Sequence, residues 1–93
     1  MVNLQSKITI PTDVLFHELS GEAVLLNLET GKYYGLDGVG TRMWALLSEH
    51  GRFEPVFRAL LEEYEVAEEQ LQSDLLELVE ALVEHGLLEA DPA

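Results

Sequence analysis

Three histidines and eighteen acidic side chains are the residues of this 93-residue sequence that could bind a metal ion or transfer protons. A metal site needs three or four converging ligands, and His17, His50 and His85 fall on separate predicted elements with no second ligand at helical or hairpin spacing. His50 and His85 stand in the last turn of predicted helices, where a cation interacts favourably with the exposed carbonyls. We therefore predict that these two histidines cap helices, and we expect no metal and no cofactor.

Neighbouring carboxylates such as Glu62 and Glu63, or Glu68 and Glu69, could suggest acid–base catalysis. Catalytic carboxylates need a pocket that shifts their pKa, whereas these pairs fall on polar helix faces and favour a solvated surface. The chain has no cysteine and no catalytic triad, and 38–40 (Gly-Val-Gly) lacks the glycine and lysine spacing of a phosphate-binding loop. The sequence therefore predicts a protein that is not an enzyme.

Charge and composition narrow the possible partners. The formal net charge of −13 repels polyanions within about a Debye length of ~8 Å, so nucleic acids and anionic membranes are poor partners. The amino-terminal stretch has no targeting pattern, and no apolar run approaches the ~20 residues of a membrane span. The absence of cysteine fits a reducing compartment, so we expect a cytoplasmic protein.

Alternating apolar residues predict strands in the first forty residues. Residues 7–10, within an amino-terminal segment 1–11, form either a first edge strand or an ordered arm that ends at Pro11. Further strands are predicted at 14–19, 23–29 and 32–36. The last two are joined by a short turn at Glu29-Thr30-Gly31 and make a hairpin.

After the hairpin the apolar period changes to that of a helix. A first helix is predicted between an N-cap at Asp37 and a stop at Gly51. A second helix runs from near Pro55 to about residue 65, and a third spans about 67–85 with a left-handed exit at Gly86.

The order of these elements predicts the fold. Strands followed by helices indicate an α+β class, here a three-stranded antiparallel meander followed by three helices. Residues 1–93 are expected to form one domain, in which 89–93 are a tail, since a chain of this length supports one small core.

The predicted third helix has more apolar surface than a small core needs. Its apolar residues fall on two stripes along the helix. The first stripe comprises Leu71, Leu75, Leu78 and Leu82, and the second comprises Leu76, Val79 and Val83. The last strand of the meander has one neighbour only, so its free edge can accept an extended peptide, whose apolar side chains would lie against the second stripe. The alternative is that the second stripe packs on the first two helices or on another copy of the chain.

A family resemblance points the same way. The chain resembles the PqqD-like proteins in the segment 24–37, at Trp44, in the segment 60–64, at Asp74 and in the segment 82–88. The resemblance extends over about 14–88. It implies a winged helix-turn-helix-like fold of three strands and three helices that recognises the leader of a ribosomally made, post-translationally modified peptide.

In this family the leader lies along the third strand and against the third helix. The resemblance therefore implies that the leader contacts Lys32, Tyr33, Tyr34, Gly35, Leu36, Asp37, Gln72, Leu75, Leu76, Val79 and Val83.

Within the family, a chain of this length looks most like the stand-alone leader-binding protein of lasso-peptide clusters. That protein works with a separate cysteine leader peptidase and an ATP-dependent macrolactam synthetase. The alternative is the peptide chaperone of pyrroloquinoline quinone synthesis, which partners a radical SAM enzyme. A DNA-binding winged helix is the more distant alternative, because the predicted third helix carries no lysine or arginine to face phosphates.

Overall fold

The computed structural model of the chain describes residue 3 and residues 5–91, which form five strands and three helices. The strands are β1 Lys7–Thr9, β2 Val14–Leu19, β3 Glu22–Asn27, β4 Tyr33–Leu36 and β5 Glu89–Asp91, and the helices are α1 Gly38–His50, α2 Phe53–Glu63 and α3 Glu68–Glu84. The predicted α+β class, with a three-stranded meander followed by three helices, is confirmed. Within the described ranges no helix is both long and apolar enough to cross a bilayer.

Strands β2, β3 and β4 form an antiparallel sheet with β3 in the centre. Leu25 on β3 lies opposite Phe16 on β2 and Tyr34 on β4. Because side chains alternate along a strand, this row points to one face, while the neighbouring row of Val24 and Gly35 points to the other. Leu25 is fully buried and Val24 is exposed, so the helices cover only the first face, called here the inner face.

The core lies between the inner face and the helices. Phe16 on β2 stacks on Trp44 of α1, with ring centroids 6.2 Å apart. The largest fully buried side chains come from the sheet, all three helices and the segment after α3, and they are Leu25, Leu47, Phe53, Leu60, Leu75, Leu82, Leu87 and Leu88.

The two ends of the described chain form a second, smaller sheet. Strand β1 pairs with β5, and Ile8 lies opposite Ala90. The N–H of Ile8 also donates to the carbonyl of Gly51 at 2.8 Å, which ties this sheet to the loop between α1 and α2. Residues 7–9 are therefore not an edge of the meander, and 89–91 are a strand rather than a tail.

Both corrections have one physical cause. Three-residue strands are too short to show a period, and their partners are some eighty residues apart in the chain. The remaining residues of the expected arm and tail, 1, 2, 4, 92 and 93, lie outside the described residues.

Helix ends mostly follow the predicted signals. The carboxylate of Asp37 accepts the N–H of Gly40 at 2.8 Å, and Gly51 ends α1 with φ of 67°, so the cap and the stop are confirmed. Gly86 follows α3 with φ of 72°. Helix α2 differs, since it begins two residues before Pro55 and ends at Glu63.

The rotation of α3 about its axis differs from the prediction. Its buried residues are Leu71, Leu75, Val79 and Leu82, so Val79 belongs to the core rather than to a surplus stripe. Leu78, predicted in the core stripe, is only half-buried. Both rotations satisfy the helical period, and packing of α3 against α2 and the rest of the core decides between them.

Candidate functional site

Strand β4 has a free edge. Within the described part of the chain it pairs with β3 along one edge and with no strand along the other. Half of its backbone N–H and C=O groups point away from β3 and can bond an added strand. Tyr33, at the start of this edge, is 73% exposed.

Asn27, at the end of β3, holds the β4 hairpin against the end of α3. Its Oδ1 accepts the N–H groups of Glu29 at 2.8 Å and Thr30 at 3.2 Å, which shapes the turn. Its Nδ2 donates to the carbonyl of Gly86 at 2.8 Å. A side chain that is 7% exposed thus links the turn to the carboxyl end of α3.

Helix α3 approaches β4 at two places. Near the start of β4, Tyr34 meets His85 edge to face, with ring centroids 5.2 Å apart and planes at 74°. Near the end of β4, Asp74 and Leu78 face the amino terminus of α1 across a cavity. The flank of α3 that faces β4 therefore carries Asp74, Leu78 and His85.

His85 also ends α3 as predicted. It is the C-cap residue, and its Nδ1 donates to the carbonyl of Ala81 at 2.8 Å. His50 lies in the last turn of α1. Within the described ranges no three histidine, aspartate or glutamate side chains come together as a metal site would require.

Two cavities lie at the carboxyl end of β4. The inner cavity has a volume of about 350 Å³, and its apolar lining includes Val39, Met43 and Leu78. The outer cavity, about 440 Å³, lies on the opposite face of the sheet over Val24 and Gly35. Because alternate side chains of an added strand point to opposite faces, such a strand would place side chains towards both cavities.

Acidic groups surround this end of the edge. Asp37 borders both cavities, and Asp74 borders the inner one. Lys32 lies at the other end, immediately before β4. The two ends of the edge therefore differ in charge, with two carboxylates at one end and a cation at the other.

The two side chains with shifted pKa values, Arg42 and Glu63, lie on α1 and α2. Arg42 on α1 donates to Glu63 on α2 through Nε at 2.8 Å and Nη2 at 2.6 Å. These hydrogen bonds lower the pKa of Glu63 and raise that of Arg42, and both groups are exposed. The pair joins α1 to α2.

The predicted contact residues 32–37 form the free edge and its two ends. Tyr33 and Gly35 are exposed on the outer face, and Tyr34 is half-buried on the inner face. Leu36 is 5% exposed and packs in the core, and its position opposite Ala23 turns its backbone N–H and C=O toward β3, so the groups at the free edge are those of Tyr33 and Gly35.

Leu75 and Val79 were predicted to contact the leader directly, but the structure places their side chains in the core. Both side chains are fully buried, at 0% exposed, because the core face of α3 runs through these two positions. They lie in the core behind the groove, which is the name used here for the free edge of β4 together with the inner cavity.

Gln72, Leu76 and Val83 are accessible, but they lie on the other flank of α3. Leu76 is two positions from both Asp74 and Leu78, which places it about 160° away around the helix. Gln72 and Val83 share its flank. Their contact with a peptide stays a prediction.

The prediction missed several residues of the groove. Val39 and Met43 come from α1, and the pattern gave no signal that this helix borders the edge. Leu78 and His85 share one side of α3 at a spacing of seven, which is a signal visible in the sequence. Asn27 had no signal beyond a polar residue on the apolar inner face of a strand.

Two solved protein structures are similar to this chain. It is 41% identical to TbiB1, solved in complex with the TbiA(beta) leader peptide, with a TM-score of 0.81 over 86% of this chain and 93% of that chain. A lasso peptide synthetase B1 complexed with the leader peptide shares the fold, at 20% identity and a TM-score of 0.69 over 89% of this chain and 98% of that one. Among curated protein sequences, none matches this chain.

Residues 22–88, from β3 to the residue before β5, match the family described as coenzyme PQQ synthesis protein D (PqqD). This segment contains the free edge of β4, the amino terminus of α1 and the whole of α3. The chain therefore belongs to the PqqD family.

Proposed function

We propose that this chain binds the leader segment of a ribosomal precursor peptide by strand addition to β4, with no catalysis of its own. The observation that carries the proposal is the free edge of β4, with α3 alongside it and one cavity on each face of the sheet. An extended peptide satisfies the backbone of such an edge and places alternate side chains on the two faces. The complex of the 41% identical TbiB1 with a leader peptide supports the proposal.

The size of the edge is consistent with a reversible binding protein. A four-residue edge strand offers about four hydrogen bonds to an added strand, each with a net value of ~1 kcal/mol. Two anchored apolar side chains contribute about 2 kcal/mol each. The gross total of roughly 8 kcal/mol corresponds to a Kd of about 1 μM, and ordering of the peptide weakens the affinity from that limit.

The inner cavity supplies the first apolar anchor site in this proposal. Val39 and Leu78 border it from two helices, and Tyr34 lies farther along the same face of β4. The flank of Leu76 and Val83 is the second candidate surface, supported by the family resemblance. The experiment below determines which of the two flanks of α3 binds the leader.

The experiment compares Leu78→Glu with Leu76→Glu. Both leucines are half-buried on α3, so the two variants are matched in size, charge and helix. A fluorescein-labelled TbiA(beta) leader peptide, the ligand of the 41% identical TbiB1, is titrated by fluorescence polarisation, and circular dichroism reports folding. We expect Leu78→Glu to weaken binding at least tenfold and Leu76→Glu to change it less than threefold, since an anchor of ~2 kcal/mol corresponds to about thirtyfold.

Val39→Glu repeats the test on a second element. Val39 is 44% exposed and borders the same cavity, and an acidic residue is favourable near a helix amino terminus, so this variant should fold. A loss confined to Leu76→Glu would place the peptide on the other flank. Unchanged affinity in all three variants would refute strand addition to β4.

The proposed partners are a separate cysteine leader peptidase and an ATP-dependent macrolactam synthetase of lasso-peptide maturation, working in the cytoplasm. The fold shared with a lasso peptide synthetase B1 supports this pathway. The family description supports the alternative, a peptide chaperone for a radical SAM enzyme in pyrroloquinoline quinone or related peptide synthesis. Adjacent genes for a cysteine peptidase and an asparagine-synthetase-like enzyme would favour the first, and a radical SAM gene the second.

A further inference from the structure

Gly35 lies in the free edge of β4 at a position where the fold itself does not need a glycine. Its backbone does not have the positive φ that favours glycine over other residues. Apart from its two chain neighbours, no atom of residue 3 or of residues 5–91 lies within 4 Å of the position that a Cβ atom on Gly35 would occupy. A side chain at this position would therefore meet open space in the free protein.

A glycine inside a strand weakens that strand. It loses more conformational freedom on folding than other residues, and it has no side chain that could pack. Gly40 has a packing reason, because a Cβ atom there would lie 3.2 Å from Oδ1 of Asp37 and 3.3 Å from Cδ2 of Leu36. Gly35 has no such reason, and a glycine in a strand often marks a place where a ligand or another backbone approaches closely.

The outer cavity lies directly over Gly35. His17 on β2, Val24 on β3 and Gly35 on β4 form one row across the outer face of the sheet. Tyr33 and Asp37 are the next positions along the chain on the same face, so the missing side chain leaves a gap between them. This gap opens the cavity of about 440 Å³ towards the free edge, and Val24 lines it from the central strand.

We infer that Gly35 determines which leaders bind, because its missing side chain makes room for one large apolar side chain of the leader. The inference rests on the proposed addition of a leader strand to β4. The N–H of Asn27 donates to the carbonyl of Lys32, and alternation from this pair turns the backbone N–H and C=O of Gly35 towards the free edge. The leader residue opposite Gly35 then has its side chain on the outer face, over the gap.

The lining of the outer cavity indicates the class of that side chain. Leu19 and Val24 are 73% and 46% exposed, and their burial by an apolar leader side chain is favourable. The carboxylates of Glu22 and Asp37 also border the cavity and disfavour an acidic side chain. Large side chains of a neighbouring strand are known to cover edge glycines in sheets. The leader residue opposite Gly35 is therefore aromatic or branched aliphatic.

The experiment measures leader affinity and stability in Gly35→Ala and Gly35→Val. The probe is the fluorescein-labelled TbiA(beta) leader peptide, titrated by fluorescence polarisation, and urea denaturation followed by circular dichroism measures stability. Gly38→Ala is the matched control, because it adds the same methyl group to a glycine at the start of α1. There the added Cβ atom would contact the carbonyl oxygen of Gly21 at an ordinary 3.8 Å.

We expect stability and affinity to change in opposite directions. Both Gly35 variants should be at least as stable as the wild type, with an unfolding equilibrium constant about two- to fivefold lower for Gly35→Ala. Leader affinity should fall about threefold in Gly35→Ala and at least tenfold in Gly35→Val, since loss of one buried apolar side chain corresponds to about ten- to a hundredfold. Gly38→Ala should bind as wild type. The strand preference of valine by itself predicts equal or tighter binding, so the direction of the change is diagnostic.

An alanine scan of the leader peptide identifies the side chain that lies over Gly35. One alanine peptide should bind the wild type at least tenfold more weakly than the unchanged leader does. With that peptide alone, the loss caused by Gly35→Val should shrink to less than about threefold, because the side chain that valine displaces is already absent.

Three outcomes would overturn the inference. Unchanged or tighter leader binding by Gly35→Val would show that the gap is not occupied. The same loss with every alanine peptide would show that valine obstructs the backbone of the leader rather than one side chain. Lower stability of both Gly35 variants would show that the fold requires this glycine. Failure of the wild type to bind the leader would instead refute the proposed function, and the inference with it.

Discussion

Replacement of Asn27 by alanine tests the link between the hairpin and α3. The amide makes three hydrogen bonds, two to the turn after β3 and one to the carbonyl of Gly86. The turn N–H groups of Glu29 and Thr30 belong to exposed residues and can bond water after the change. The carbonyl of Gly86 is in a half-buried residue and loses its side-chain partner.

The magnitude follows from these contacts. Two replaceable hydrogen bonds contribute about 0.5 kcal/mol each, and a polar group left without its partner costs about 1–2 kcal/mol. We expect Asn27→Ala to lower the free energy of unfolding by about 2–3 kcal/mol, a large part of the ~5–15 kcal/mol typical of a small domain. The melting temperature should fall by roughly 10–20 °C.

Urea denaturation followed by circular dichroism measures this loss. Thr30→Ala is the control in the same turn, because its exposed hydroxyl accepts one N–H, that of Lys32 at 3.2 Å, and its removal should cost under about 0.5 kcal/mol. Leader affinity of Asn27→Ala, measured where the variant is folded, should also fall, since β4 is no longer held against α3. If the two alanine variants unfold at the same urea concentration, the linking role assigned to Asn27 is wrong.

Two further predictions concern helix ends and helix pairs. Asp37→Ala should cost about 1 kcal/mol in urea denaturation, because the carboxylate caps α1 through the N–H of Gly40, whereas Asp37→Asn should retain most of the stability because asparagine caps equally well. Equal losses in both variants would contradict the capping role. The Arg42 hydrogen bond lowers the pKa of Glu63 from 4.5, so its contribution is present above pH 4.5 and is lost as the pH falls through the lowered pKa. Thermal unfolding of wild type and Glu63→Gln should therefore differ at neutral pH and converge as the pH falls through the lowered pKa, and a difference that stays constant on acidification would count against the pair.

The sequence predicts elements whose signals are local. The hairpin depends on a short turn and alternating strands, and α1 depends on Asp37 and Gly51 at its two ends. Pairing of β1 with β5 depends on residues about eighty positions apart, for which neither strand carries a local signal.

The site was predicted in part for a similar reason. A free edge at β4 follows from the order of the strands, and the structure has that edge. The accessible flank of α3 depends on a rotation of the helix that places Val79 rather than Leu78 in the core. With seven apolar residues on two overlapping stripes, helical spacing alone allows both rotations.

The pairing of Lys7 with Asp91 has a consequence for how this domain can be built into larger proteins. Antiparallel partners lie about 5 Å apart, so polypeptide entering at β1 and leaving at β5 crosses the same small region of the surface. Such a domain can be inserted into a loop of a host enzyme without separating the two sides of that loop. It can also be circularly permuted by a short linker between these strands, with new ends opened at an exposed turn.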